Sequence, residues 1–120
     1  MDIVDVSRIE AAAKKWGNRF LKRVFTENEL GYCLKKTQPY TSLAARFAAK
    51  EAFIKALQAE VVIPLRDIET INNKSGVPSI RLYGRTKEIF DELTSEGSIH
   101  LSLSHDGKLS IAFVIIEVKP

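Results

Sequence analysis

The sequence has 120 residues, of which 45% are hydrophobic and 28% are charged, a balance typical of a globular protein and unlike that of a disordered or fibrous chain. We expect one soluble domain over residues 1–120 with a single core, because a chain of this length buries roughly two-thirds of the surface that its unfolded form exposes. The net charge is only +3, one cysteine (Cys33) excludes an internal disulfide, and no apolar run nears the ~20 residues of a membrane span, so we predict a cytoplasmic protein without a leader.

The first predicted element is a helix that begins at a capping box formed by Ser7 and Glu10. Apolar residues follow at helical spacing, and Gly17 is placed to kink or end the helix. A second capping box, Thr26 with Glu29, predicts a short second helix.

Basic residues dominate this first helical region. Between residues 8 and 23 the charge is +5, with Glu10 as the only acid, and the rest of the chain carries −2. The bases are Arg8, Lys14, Lys15, Arg19, Lys22 and Arg23. This uneven distribution of charge indicates an acidic partner. The candidates are a nucleic acid, a phosphate-bearing ligand and an acidic protein. A solvated helix face without a partner is the alternative interpretation of the charges alone.

The strongest helical pattern lies in the middle of the chain. Residues 37–40, with Pro39, are predicted to be a loop, and the run from Ser42 to Leu57 is rich in Ala, Leu, Lys and Glu without Gly or Pro. This composition is close to ideal for a helix, so we predict one over 42–57.

Alternating patterns replace helical spacing after Pro64. They predict two hairpins separated by one further helix, with Asp106 and Gly107 supplying the turn of the second hairpin. The predicted ranges are strands 67–71 and 78–83, helix 86–93, and strands 99–104 and 109–118. Helices first and antiparallel strands later indicate an α+β fold with helices packed on a mostly antiparallel sheet.

Several carboxylates are candidates for chemistry. Glu51 precedes Lys55 by four residues in the predicted long helix, a spacing that most often gives a surface ion pair and less often a metal ligand or base. Asp2 and Asp5 stand before the first helix, where carboxylate oxygens suit a hard cation such as Mg²⁺ that also takes substrate phosphates. Taken singly, each is more typical of a surface acid near the end of the chain.

A polar segment, residues 102–106, precedes the predicted last turn. Its serines, His105 and Asp106 do not predict a hydrolytic triad, because neighbours in an extended chain cannot converge. A phosphate cradle with Lys50, Lys55 and Lys108 is one interpretation, and an ordinary hairpin with solvated polar residues is the other.

Together these stretches resemble the holo-acyl-carrier-protein synthases, the small single-domain bacterial type of 4′-phosphopantetheinyl transferase. The similarity spans nearly the whole chain and rests on five stretches in the family's order. They read DIVDVSRI from Asp2, FTENEL from Phe25, RFAAKEAF from Arg46 with KAL from Lys55, SGVP from Ser75, and SLSHD from Ser102.

The resemblance implies a transferase that moves 4′-phosphopantetheine from coenzyme A to a serine of apo acyl carrier protein in fatty acid biosynthesis, with Mg²⁺ required and 3′,5′-ADP released. It implies Asp2 and Glu51 as metal ligands, Glu51 and Lys55 as catalytic residues, and Glu51 or a metal-bound water as the general base. The residues implied for coenzyme A are Arg46, Lys50, Lys55, Ser104 and His105.

The family resemblance also implies a homotrimer with active sites between protomers, in which the basic first helix docks the carrier protein. The runner-up hypothesis is a noncatalytic module that uses the basic helix to bind an acidic protein or nucleic acid. Nucleic-acid binding is the weaker of the two, because the only aromatics of the basic stretch, Trp16 and Phe20, are at core-like spacing and leave no base-stacking residue.

Overall fold

The computed structural model describes residues 1–119, which form five α-helices, five strands and a short 3-10 helix. In chain order these are β1 (Asp2–Asp5), α1 (Val6–Trp16), α2 (Asn18–Val24), α3 (Glu27–Cys33), α4 (Pro39–Leu57), the 3-10 helix (Leu65–Asp67), β2 (Ile68–Asn72), β3 (Pro78–Leu82), α5 (Gly84–Leu93), β4 (Ser98–Asp106) and β5 (Leu109–Glu117). This architecture confirms the predicted α+β class.

The strands form two antiparallel sheets. The larger sheet has the order β1-β5-β4, and the smaller is the β2-β3 hairpin. Asp2 and Leu103 both lie opposite Ala112 of β5, so the first strand pairs with the last and brings the chain start beside the final hairpin. No helix among residues 1–119 is long and apolar enough to cross a membrane.

The core forms where α4 packs on β5 and β1. Small residues on α4, including Ala44, Ala48 and Ala52, are almost fully buried, which lets the helix approach the sheet closely. Phe25 and Phe53 are fully buried and are the largest apolar side chains in this core. The helix therefore holds its polar residues at fixed positions beside the larger sheet.

The helix starts follow capping chemistry. The Thr26–Glu29 capping box is present as predicted, with both reciprocal hydrogen bonds. The predicted Ser7–Glu10 box is wrong, because Asp5 is the N-cap of α1 and accepts a 2.9 Å hydrogen bond from the Ser7 backbone N–H. Gly17, with φ of 57°, ends α1 as predicted.

Three further boundaries differ from the sequence predictions. Pro39 is the first residue of α4 instead of a loop residue, since a proline at this position loses no helical hydrogen bond. Residues 2–5 form β1, which the sequence did not predict. The second hairpin turns at Gly107 and Lys108, so Asp106 is the last residue of β4.

Candidate active site

Three of the predicted site residues meet where β1 packs on α4. The ammonium of Lys55 donates a 2.6 Å hydrogen bond to Asp2 Oδ1, although the two residues are 53 positions apart in the chain. Glu51 lies one helical turn before Lys55. The hydrogen bond and charge of Asp2, with a smaller contribution from the charge of Glu51, raise the pKa of Lys55 above its ordinary value. Both carboxylates thus act on one cationic centre.

This cluster has the chemistry of a small divalent-cation site. Asp2 and Glu51 offer carboxylate oxygens, the ligands that Mg²⁺ prefers, and an ammonium already lies against one of them. Within residues 1–119 no group of three or more Asp, Glu, His or Cys side chains could hold a metal ion. A cation here would therefore need oxygens from water or a substrate, which fits Mg²⁺.

A separate cavity of about 650 Å³ is lined by three of the five residues predicted for coenzyme A, and Lys50 and Lys55 are not among its lining residues. Arg46, Ser104 and His105 all line it, together with side chains from α3 and the β2-β3 hairpin. Ser104 and His105 are exposed, and no side-chain hydrogen bond within the described chain joins either of them to Asp106.

Arg46 is the buried cation of this cavity, with only 3% of its surface exposed. Nη1 donates to Ser42 Oγ at 3.1 Å, Nη2 donates to Asn72 Oδ1 at 2.6 Å, and the guanidinium lies 4.5 Å from the ring centroid of Tyr32. No carboxylate among residues 1–119 forms an ion pair with it, and Nε has no hydrogen-bond partner there. A buried charge without a counterion favours an anionic ligand.

The contacts of Lys50 contradict the expectation that this residue binds coenzyme A. Its side chain is fully buried, and its ammonium donates to Glu29 Oε1 at 2.7 Å, to the carbonyl of Leu65 at 3.0 Å and to the carbonyl of Ile68. These three partners use all three N–H donors of an ammonium. Lys50 therefore does not bind coenzyme A directly, since no donor is left and no ligand can reach it.

The basic residues of α1 and α2 remain on the surface. All six predicted bases are exposed, although Lys14 forms an ion pair with Glu10 at 2.7 Å. Trp16 is 51% exposed and, with Arg19, Phe20 and Arg23, lines a second cavity of about 330 Å³. The core-like assignment of Trp16 is thus wrong, whereas Phe20 is partly buried and packs against the core, as its spacing predicts.

Sequence reasoning assigned no role to Tyr32 or Asn72, the two residues from other elements that contact Arg46 in the cavity. Neither stands in a charged or metal-ligating motif, so their types alone carry no signal. Asn72 follows the predicted strand 67–71, a position that predicts only a connecting loop, whereas its side chain reaches across to α4. Contacts of this kind depend on packing between elements.

Comparisons with known proteins agree in sequence and in structure. The family described as the 4′-phosphopantetheinyl transferase superfamily matches residues 1–114. The holo-acyl-carrier-protein synthase of Halothermothrix orenii is 46% identical over 121 residues, which cover 98% of this chain and 94% of that protein. The protein of the same name from Syntrophus aciditrophicus is 43% identical over 119 residues, with coverages of 98% and 92%.

Two solved structures show the same fold. The Helicobacter pylori holo-acyl-carrier-protein synthase in complex with coenzyme A superposes with a TM-score of 0.83 and 34% identity, covering 97% of this chain and 96% of that one. A holo-acyl-carrier-protein synthase from Bacillus anthracis in complex with CoA (3′,5′-ADP) gives a TM-score of 0.77 at 30% identity, with coverages of 98% and 93%.

Proposed function

Because the chain belongs to the holo-acyl-carrier-protein synthases of the 4′-phosphopantetheinyl transferase superfamily, we propose that it transfers 4′-phosphopantetheine from coenzyme A to a serine of apo acyl carrier protein in fatty acid biosynthesis. In this reaction the serine oxygen forms a bond to the phosphorus that carries the pantetheine arm. The bond from that phosphorus to the bridging pyrophosphate oxygen breaks, and 3′,5′-ADP leaves.

The observation that carries this proposal is the Arg46 cavity. A buried guanidinium without a carboxylate partner faces a space large enough for part of a nucleotide, and the exposed Ser104 and His105 border the same space. Coenzyme A carries a phosphate monoester and a pyrophosphate. An arginine guanidinium can bind one such phosphate group through two parallel hydrogen bonds. The cavity would hold the phosphorylated end of the donor.

The Asp2, Glu51 and Lys55 cluster supplies the second half of the site. Asp2 and Glu51 would hold Mg²⁺, which when bound neutralises charge on the pyrophosphate oxygens. Lys55, like an ordinary lysine, is an ammonium at neutral pH and offers positive charge to the leaving phosphate. Glu51 accepts the serine proton directly or through a water.

The proposal includes a homotrimer with active sites between protomers. The outer face of the larger sheet carries exposed apolar side chains, with Ile3 51%, Phe113 49% and Ile115 53% exposed. Apolar surface of this kind marks an interface. Ser104 pairs with Ile111 on the same sheet, so a second copy covering this face would border the Arg46 cavity.

Carrier-protein docking is assigned to the exposed bases of α1 and α2. An acidic protein surface would be steered to them over long range, and Trp16 with Phe20 adds an apolar surface between Arg19 and Arg23. The single thiol, Cys33, is buried without a disulfide partner, which favours the reducing cytoplasm as the setting.

The test is a direct transfer assay. Incubation of the protein with apo acyl carrier protein, coenzyme A and Mg²⁺ should add one phosphopantetheine to the carrier protein by mass spectrometry and release 3′,5′-ADP. Glu51→Gln should lower the rate about a hundredfold or more while thermal unfolding is unchanged, because a ligand and a proton acceptor are lost together. Glu96→Gln, which changes an exposed glutamate between α5 and β4, is the matched control.

The same assay separates the proposal from the noncatalytic alternative. A binding module would need only the basic residues and would tolerate Glu51→Gln. A carrier protein whose mass does not change, or a Glu51→Gln variant as fast as the wild type, would contradict the transferase assignment of this site.

A further inference from the structure

The side chain of Asn72 links Arg46 to the turn between β2 and β3, and all of these line the cavity. Asn72, the last residue of β2, accepts a 2.6 Å hydrogen bond from Arg46 Nη2 through Oδ1. Its Nδ2 donates a 3.1 Å hydrogen bond to the carbonyl oxygen of Gly76. Both Arg46 and Gly76 line the cavity. The oxygen and nitrogen of the Asn72 amide therefore hold α4 and the β2-β3 turn at a fixed separation.

The turn on the far side of this bridge is rigid within itself. The Asn73 side chain accepts hydrogen bonds from the backbone N–H groups of Ser75 and Val77, each at 2.9 Å, and the Asn73 N–H donates to the Val77 carbonyl at 3.0 Å. These bonds fix the shape of the turn and leave its position relative to α4 undetermined. Asn72 supplies the side-chain link from the turn to Arg46.

Among the described residues, Arg46 has no other hydrogen bond to an element outside α4. Nη1 donates to Oγ and to the carbonyl oxygen of Ser42, which lies one turn earlier on the same helix, and the Tyr32 ring contacts the guanidinium without a hydrogen bond. The hydrogen bond to Asn72 reaches a different element, β2, and fixes the position of Nη2 of the guanidinium. The guanidinium donors that Ser42 and Asn72 do not use, Nε–H among them, are then held in a fixed orientation.

We infer that Asn72 is a positioning residue for the donor substrate: it orients Arg46 and sets the β2-β3 turn at the distance that anionic coenzyme A requires. This inference rests on the proposed function. Asn72 touches no reacting atom in this role, so its loss should weaken coenzyme A binding and leave the chemical step nearly unchanged.

The experiment is calorimetric titration of coenzyme A into the purified protein, without carrier protein. Asn72→Ala should weaken binding about tenfold, the size expected when a hydrogen bond to a charged group is lost. Asn28→Ala removes an exposed asparagine of α3 that makes no side-chain hydrogen bond in the described chain, and should bind as the wild type does. Thermal unfolding of both variants reports on the fold.

A double-mutant cycle shows whether Asn72 acts through Arg46. Arg46→Lys keeps a cation but lacks the fork that Asn72 holds, so adding Asn72→Ala to it should change the dissociation constant by less than about twofold. Asn72→Asp should weaken binding more than Asn72→Ala, because its carboxylate neutralises Arg46 and faces the phosphates. That comparison stays informative if the alanine variant is unstable.

The possible failures are distinct. Equal losses from Asn72→Ala in the wild-type and Arg46→Lys backgrounds, or coenzyme A binding unchanged in Asn72→Asp, would overturn the positioning role alone. A wild-type protein that binds no coenzyme A would overturn the proposed function and this inference together.

Discussion

Lys50 and Glu29 form an ion pair from which solvent is excluded. Neither side chain is exposed, and the pair joins α4 to α3 at 2.7 Å. Burial lowers the pKa of Lys50, while the charge and hydrogen bond of Glu29 oppose that change. Glu29 also accepts from the Thr70 N–H at 3.0 Å, so one carboxylate reaches a helix, a strand and its own N-cap. The pair links elements around the site without entering it.

Replacement of Lys50 should therefore be costly to stability. Lys50→Met leaves Glu29 as an uncompensated buried charge, and we expect the free energy of unfolding in urea to fall by about 3–5 kcal/mol. Adding Glu29→Gln should recover part of that loss, since the stranded charge is removed. Lys55→Met, on the exposed side of the same helix, is the control and should barely move the urea midpoint. Similar losses for the two lysines would contradict the assignment.

The helices α1 and α2 expose all six of their basic residues. The chain breaks at Gly17, and Trp16 at the end of α1 lines one cavity together with two bases of α2, Arg19 and Arg23. Only Lys14 among the six has an acidic partner on its own helix within the described chain. The remaining charges are available for an acidic partner protein.

Charge reversal tests this surface. Arg8→Glu with Lys15→Glu should raise the KM for apo acyl carrier protein about tenfold or more and leave the KM for coenzyme A nearly unchanged, because rim charges govern encounter with a charged partner. The effect should shrink as salt is added. Lys87→Glu with Lys119→Glu reverses as many charges elsewhere. Docking at α1 is contradicted if both double variants change the two KM values alike.

At the scale of the whole molecule, the larger sheet has one buried and one open face. Ser110, Ala112 and Val114 of β5 point to α4, whereas Phe113 and Ile115 point outward, as strand alternation requires. A single chain leaves these outward residues in water. Their partial exposure beside Ser104 is the reason to expect other copies of the chain on this face.

Sedimentation velocity tests the assembly. We expect the wild type to sediment as a trimer and Phe113→Glu to sediment as a monomer with little transfer activity, because a charge cannot be buried in an apolar interface. Val62→Glu is the matched control, since Val62 is an apolar residue that is 95% exposed in a loop. A fully active monomeric wild type would contradict sites shared between protomers.

Local rules account for much of this molecule. The Thr26–Glu29 box, the composition of residues 42–57 and the alternation after Pro64 predict α3, most of α4 and both hairpins, because capping, helix propensity and strand alternation act between neighbours in the chain. Each of these signals is short in range. The grouping of Asp2 with Glu51 and Lys55 is instead implied by the resemblance to the family, before any contact is known.

The remaining features depend on elements that meet far apart in the chain. Four residues are too few to show alternation, so β1 forms because β5 offers it an edge, and that pairing brings Asp2 to Lys55. Lys50 and Lys55 have the same side chain on the same helix, yet packing encloses one and exposes the other. Asn72 meets Arg46 across 26 positions. Burial and long-range hydrogen bonds are properties of the packed layers, which no local pattern contains.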